Sequence, residues 1–492
     1  MKETTVKNGI IILSLLFIGI SSHATLIEPV SAATINIQNA SHYSNGTLSL
    51  SEQIQAILDN ASAGDTIKFL GKIYQDLQLT ITKKLDIITS AGTKLIGSGS
   101  GSAVFLINDS QASGTQINGF NITCSNLGIL VNNTSNINIS NCNISAINGS
   151  AITVNKSFNT TIKNSSITNS ITGINVSSSK STEITGSTIQ NNKENGISIE
   201  NSINTTLNKD KIINNAERGI KIYNSNNSVI NGSTLKGNGN NRTVGVSSNE
   251  GAVFIKNSNG VKITHNTIND NCQGVTTADS SNVTINDNTI TYNYGEGILL
   301  NGTLLQDIVV KSNDLEKNGN GIVFNYKKGN NIRFSGNIIT TSVNRDLTKD
   351  EDWGTGISFG PGYTSTSETE VIEHNAIFNN EHFDMRADFA QVRPNVGSNW
   401  YGNKYSICPY IQYAEAMYLK GTVLGANTYG GGFYDGTTGE LATDFPSIPV
   451  TLTADGFSRT VMLQNGMAIF HGSCFRFRFI NHQCLHGENY LK

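Results

Sequence analysis

Charge is scarce in this chain. Only 14% of its 492 residues are Asp, Glu, Lys or Arg, and 34 Lys+Arg against 37 Asp+Glu leave a formal charge of -3. That balance excludes nucleic acid or an anionic bilayer as an electrostatic partner. Cysteine is sparse as well: Cys124, Cys142, Cys272, Cys408, Cys474 and Cys484 lie scattered without paired spacing, which excludes a disulfide scaffold. There are 6 Pro and 2 Trp, and beyond residue 30 no apolar run approaches a membrane span of about 20 residues. What the chain has instead is 65 Asn and 48 Gly with 37% apolar residues, enough for a core. Asn, Gly, Ser and Thr are poor helix formers and good turn residues, so a helix-rich enzyme is excluded too.

The first residues carry the marks of export. Lys2 and Lys7 precede an apolar run from Gly9 to Ile20, and Val30-Ser31-Ala32 supplies small residues for cleavage. A cleaved signal peptide over 1–32 is the expectation, an uncleaved anchor the alternative.

An internal repeat decides the architecture. A Gly- or Ala-led apolar pair recurs at Gly128-Ile129, Ala151-Ile152, Gly173-Ile174, Gly196-Ile197, Gly219-Ile220, Ala252-Val253, Gly274-Val275, Gly297-Ile298, Gly321-Ile322 and Gly356-Ile357. The steps are 22 to 24 residues, apart from two longer ones of 33 and 35. A second signature, with apolar residues five apart, runs in phase from Ile117…Ile122 to Ile372…Ile377. Between them lie short alternating stretches such as Ile197-Ser198-Ile199, the period of a half-buried strand, divided by Asn/Ser/Gly turns. A unit of about 22 residues cannot bury its apolar face alone, and stacking parallel copies makes one continuous core. The expected fold is all-β, a right-handed parallel β-helix about 50 to 60 Å long at sheet spacing.

Inside the second signature a small polar position becomes Asn266, Asn288, Asn313, Asn337 and Asn375, an expected Asn ladder at one bend. Earlier copies hold Cys142, Ser165, Ser187, Asp210 and Ser233 there, so Cys142 reads as a buried thiol. Ser49-Leu50-Ser51-Glu52 is a capping box opening a helix with Leu50, Ile54, Ile57 and Leu58 on one face, a plug for the N-terminal end. The rod is expected over 33–393 and a closing or linker region over 394–443. A partial Ig-like β segment over 444–470, with Asp455-Gly456 as a hairpin turn, precedes an irregular tail over 471–492.

Taken together, the signal, the helix before Ala63-Gly64-Asp65-Thr66-Ile67, the "GI.V…N.TI..N.I..N" copies, the Ser398-to-Asn403 "SNWYGN" closure and the "PVTLTADG…V.LQNGMAIF" segment resemble adhesin-like surface proteins of methanogenic archaea, with a pectate-lyase-like fold. The resemblance implies a secreted or cell-surface protein whose partner is an extracellular polysaccharide or glycoprotein. The chain is read as monomeric, with no nucleic-acid partner and no membrane span once mature. Twenty Asn-X-Ser/Thr sequons, among them Asn45, Asn132, Asn148, Asn175, Asn204, Asn241 and Asn301, allow glycan attachment.

An enzyme of polysaccharide lyase, hydrolase or epimerase type is the rival, and it needs grouped charges. Glu194, Glu217 and Glu250 sit two residues before the Gly/Ala-led pair on three consecutive turns, with Glu200, Lys221, Tyr223 and Lys256 at outward positions close by. Stacked carboxylates are unfavourable unless a cation sits between them or they splay into water. A solvated acidic stripe, a Ca²⁺ or sugar site over Glu194, Glu217, Glu250, Lys221 and Tyr223, and catalysis by the stacked carboxylates are the three readings. No catalytic residue is assigned, no resident metal or cofactor is expected, and Ca²⁺ is the single candidate. His265 and His374, which precede ladder asparagines, are expected to face solvent. The acidic loop Asp346, Asp350, Glu351 and Asp352 offers a second cation candidate, and Arg386, Asp388 and Arg393 are expected to pair near the closing turns.

Overall fold

In the computed structural model, residues 32–43, 47–90, 92–99, 101–239, 250–344, 353–367, 369–387, 395–402, 406–407, 411–413, 415–425, 427–454, 457–471, 478–481 and 489–490 are described. The export signal before Ala32, the loop carrying Asp346, Asp350, Glu351 and Asp352, Asp388, Arg393, the Asp455-Gly456 turn, and Cys408, Cys474 and Cys484 lie outside them.

The repeat folds as a parallel β-solenoid. Three inward columns run through it in register. The first passes through Ile152, Ile174, Ile197, Ile220, Val253, Val275, Ile298, Ile322 and Ile357. The two apolar residues of the second signature supply the others, as in the stack of Ile184, Leu207 and Ile230 on three paired strands and that of Ile189, Ile212 and Leu235 on the strands that follow them. These side chains are fully buried, each worth about 1.5–3 kcal/mol over exposure. Parallel pairing buried on the inner face makes every step the same, which is why the sequence repeats so regularly. One sheet has 13 strands, one per turn. In the later turns two strands fuse across their bend into the 16-residue Glu296–Lys311 and Asn320–Ser335.

The Gly/Ala lead of the pair has a steric cause. A Cβ at Gly173 would stand 2.6 Å from the Gly196 carbonyl oxygen, and one at Gly219 2.6 Å from that of Ala252. Part of the asparagine surplus sits at the corners, where the chain turns through left-handed backbone: Asn141, Asn164, Gly186, Lys209, Gly232, His265 and Asp287 form one such column, with φ from 50° to 61°. Asn and Gly tolerate that conformation best.

The helix Leu50–Asn60 is closed by the capping box, Ser49 N–H donating to Glu52 Oε2 at 2.7 Å and Glu52 N–H to Ser49 Oγ at 3.3 Å. Ile54 and Leu58 are buried against the first turns, with Leu50 and Ile57 partly buried on the same core. At the other end, strands Tyr418–Gly425, Thr428–Tyr434 and Met467–His471 form one antiparallel sheet. Pro449–Ala454 pairs antiparallel with Phe457–Met462 and with Arg478–Asn481. The first sheet thus draws strands from both sides of residue 444, and the stretch read as an irregular tail contributes a paired strand. This closing module docks on the rod through Phe378, Trp400, Phe433 and Phe445, with Phe378 and Trp400 rings 5.0 Å apart and Phe433 stacked on Phe445 at 4.4 Å.

Candidate binding face

Three consecutive strands, Asn195–Glu200, Arg218–Tyr223 and Gly251–Lys256, build the face that bears the charged candidates. Their alternation turns Ile197, Ile199, Ile220, Ile222, Val253 and Ile255 inward, so Ser198, Lys221 and Phe254 align outside, followed by Glu200, Tyr223 and Lys256. Lys221 Nζ lies 2.7 Å from Glu200 Oε1 and 5.7 Å from the Tyr223 ring centroid. The ammonium holds the Glu200 carboxyl below the usual carboxylate range, and Ser198 Oγ donates to the same oxygen at 3.0 Å.

Glu194, Glu217 and Glu250 do fall on successive turns: Glu217 N–H donates to Glu194 O at 2.9 Å, and Gly251 N–H to Glu217 O at 3.0 Å. Their side chains part company. Glu217 Oε2 pairs with Arg218 Nη1 at 3.0 Å, Glu194 stands exposed, and Glu250 turns Oε2 away from water without a donor. The cation that stacked carboxylates require is thus supplied in part by the chain itself. Arg218 also reaches Asn195 Oδ1 at 3.4 Å and lies 5.1 Å over the Phe254 ring.

Sequence reasoning missed the column that Arg218 belongs to. Asn195, Arg218, Gly251, Gln273, Glu296 and Asn320 align along the rod, each just before the Gly/Ala-led pair, a spacing that could have revealed them. Gln273 Nε2 donates to Glu296 Oε2 at 2.9 Å and Thr276 Oγ1 to Gln273 Oε1 at 2.9 Å, and Glu296 is only 1% exposed although its strand faces outward there.

The ladder asparagines are bonded in series. Nδ2 of Asn266, Asn288, Asn313 and Asn337 each donates to Oδ1 of the next member at 2.8–3.0 Å, and Asn375 continues to Asn399. In earlier turns Ser187 N–H donates to Asp210 Oδ1 at 2.8 Å, and burial pushes Asp210 up to about 7. Burial likewise raises the Cys142 thiol, which suits a core residue. A second ladder went unread: Asn192, Asn215, Asn238, Asn271, Asn293 and Asn318, always five residues after the first.

His265 is exposed, but His374 does not face solvent. The closing module folds back over it, bringing Asp444 Oδ1 to 2.6 Å of Nδ1 and Asp435 Oδ2 to 3.1 Å of Nε2, and hydrogen bonding to Asp444 raises His374 to about 9. Beside it runs a cleft of about 740 Å³ between the rod and the module, lined in part by Asp287, Lys311, Asp314 and Gln464. Among the described residues no group of three or more His, Cys, Asp or Glu could hold a metal ion, and no helix is long and apolar enough to cross a membrane.

A family model described as "Right handed beta helix region" matches residues 102–251 and 240–371. The chain belongs to this right-handed β-helix family. No curated protein sequence matches it. Among solved structures, this β-helix is similar to the A-module of a mannuronan C-5 epimerase of Azotobacter vinelandii, at 13% identity and TM-score 0.46 over 77% of this chain and 99% of that one. It is similar also to PfbA, a surface adhesin of Streptococcus pneumoniae, at 13% identity and TM-score 0.43 over 88% and 99%. The tailspike of E. coli bacteriophage HK620, solved with a hexasaccharide, is similar at 10% identity and TM-score 0.49 over 90% and 89%. These likenesses concern the fold.

Proposed function

We propose that the protein is a non-enzymatic, extracellular adhesin-like β-helix that binds polysaccharide or glycoprotein along its outward face. The observation that carries this reading is the closure of the charges on that face: Glu200 is spent on Lys221, and Glu217 on Arg218. A paired carboxylate is a poor general acid or base. Such a face, with Tyr223 beside Lys221 and a row of outward amides, offers many weak contacts to a long polar polymer. Asn132 and Asn155 belong to that row, Nδ2 of Asn155 donating to Asn132 Oδ1 at 2.7 Å. The test is binding of the full chain to immobilised uronic-acid and neutral polysaccharides, with Ca²⁺ and with chelator, followed by product analysis. Binding without product, weakened several-fold by Lys221→Ala combined with Tyr223→Ala, is expected; cleavage or epimerisation would sink the reading.

One observation favours the second reading, a carbohydrate-active enzyme. Glu296 is a carboxylate buried on the outside of the rod, in the same column as Arg218 and oriented by Gln273. If product forms, Glu296→Gln should abolish it.

A further inference from the structure

The sequons are not equivalent once folded. At Asn159-Thr160-Thr161, Asn204-Thr205-Thr206 and Asn282-Val283-Thr284 the asparagine sits exposed at a corner in left-handed backbone, with φ of 55°, 58° and 51°. The middle residue turns inward: Thr160 is 0% exposed, Thr205 1% and Val283 0%. The third residue turns outward again and is half-buried, so carboxamide and hydroxyl are both presented on the outer surface. All three lie in one column, since Thr161, Glu183 and Thr206 are in register, as are Thr206, Val229, Lys262 and Thr284. At sheet spacing the asparagines stand about 10 and 14 Å apart along one edge of the rod.

Other sequons fail on the hydroxyl. Asn132, Asn155, Asn226 and Asn231 carry their third residue inward, as Thr134, Ser157, Ser228 and Ser233, which are 6%, 4%, 0% and 2% exposed. Ser157 and Ser233 are further engaged, each accepting a backbone N–H from the preceding turn and donating to a carbonyl two residues back. Asn133 and Asn164 meet both conditions singly, on other corners and with serine third, and Asn60-Ala61-Ser62 and Asn108-Asp109-Ser110 expose both groups away from this corner. An enzyme that must grip amide and hydroxyl together finds both only where neither is built into the core.

We propose that Asn159, Asn204 and Asn282 form a comb of positions along one corner at which the folded chain accepts N-linked glycans. The co-reactant is an oligosaccharide carried on a lipid phosphate. The carboxamide nitrogen attacks the anomeric carbon, the N–C bond forms as the C–O bond to phosphate breaks, the lipid phosphate leaves with the electron pair, and a base of the transferase takes the nitrogen's proton. The threonine hydroxyl orients the sequon and is unchanged. In a cell the comb rests on the extracellular reading above, because the donor and transferase act on exported chains.

The experiment offers the purified, folded full chain to a single-subunit oligosaccharyltransferase with lipid-linked donor and reads each sequon's occupancy by peptide mass spectrometry. Synthetic peptides spanning the same sequons serve as acceptors in parallel. Occupancy at Asn159, Asn204 and Asn282 at least tenfold above Asn132, Asn155 and Asn231 is expected, with all peptides modified. Thr206→Ala should empty Asn204 alone without moving the melting temperature. Equal occupancy across the folded chain, or an empty corner when the peptides react, overturns the comb. Chain recovered from its own cells without glycans, when the folded chain fills the corner in the tube, would instead count against export and leave the geometry standing.

Discussion

The early and late turns of the rod solve one problem in two ways. At the same bend, turns two to five of the ladder use Ser165, Ser187, Asp210 and Ser233, whereas later turns use Asn266 through Asn375. Ser165 Oγ donates to Lys163 O within its own turn at 2.9 Å and accepts one N–H from the turn before, at 3.2 Å. Asn313 does more. Its Nδ2 donates to Asn337 Oδ1, Ile285 O and Lys311 O at 2.9–3.0 Å, and its Oδ1 accepts from both the backbone N–H and Nδ2 of Asn288. A hydroxyl joins two turns; an amide ties three together.

The largest expected effect breaks that contrast directly. Asn313→Ala should lower stability by about 3–5 kcal/mol, because it orphans buried partners on both sides, whereas Ser165→Ala should cost about 1–2 kcal/mol. Chemical denaturation of both variants checks it. Equal losses would mean that the ladder works only as spacing.

Next comes the corner just before Asn375, where a late turn meets the closing module. His374 is raised to about 9 from 6.5, so its clasp by Asp444 and Asp435 stabilises fully below 6.5 and is lost as pH rises through 9. A melting curve that falls between pH 7 and 10 in the parent chain and is flat in His374→Gln is expected, with about 2–3 kcal/mol at stake. An unchanged slope would remove the clasp as a docking device.

Asp210 marks a point where the early solution is imperfect. Its folded value of about 7 lies above 3.8, so folding favours the protonated acid, and that contribution is present below 3.8 and lost as pH rises through 7. Asp210→Asn should therefore stabilise by about 1–2 kcal/mol at pH 8 and change little at pH 4, below the ~4 kcal/mol that the full shift would allow, since Asn208 N–H loses an acceptor. Stabilisation that does not depend on pH would show that the carboxyl is not the cause.

Why one level was legible and another not follows from the same residues. Ile197, Ile220 and Val253 announce themselves because an apolar column has one chemistry and a fixed period, so the solenoid and the register of Asn266 to Asn375 could be read directly. Asn192 to Asn318 escaped notice because asparagine is everywhere, and an inward amide looks in sequence like the corner amides Asn191 and Asn214 beside it. The face was harder still. Placing Glu194, Glu217 and Glu250 in one stripe required only the repeat, but finding that Arg218 turns to Glu217 required side-chain geometry. His374 escaped for a different reason: Asp435 and Asp444 are 61 and 70 residues away, outside any repeat.

The smallest effect is expected where the face meets water. Glu217→Gln removes the charge that Arg218 answers, yet the Glu217 side chain is 42% exposed, and exposed pairs contribute about 0–1 kcal/mol. Stability should move by less than about 0.5 kcal/mol, and polysaccharide binding should stay within about twofold, because the contacts proposed for the ligand lie at Lys221 and Tyr223. That quiet outcome sharpens the contrast with Asn313: one altered side chain stands at a turn edge in solvent and the other in the core. A loss of binding tenfold or more with Glu217→Gln would move the ligand onto the acidic stripe, and with it the weight of the argument from the ion pairs to the carboxylates.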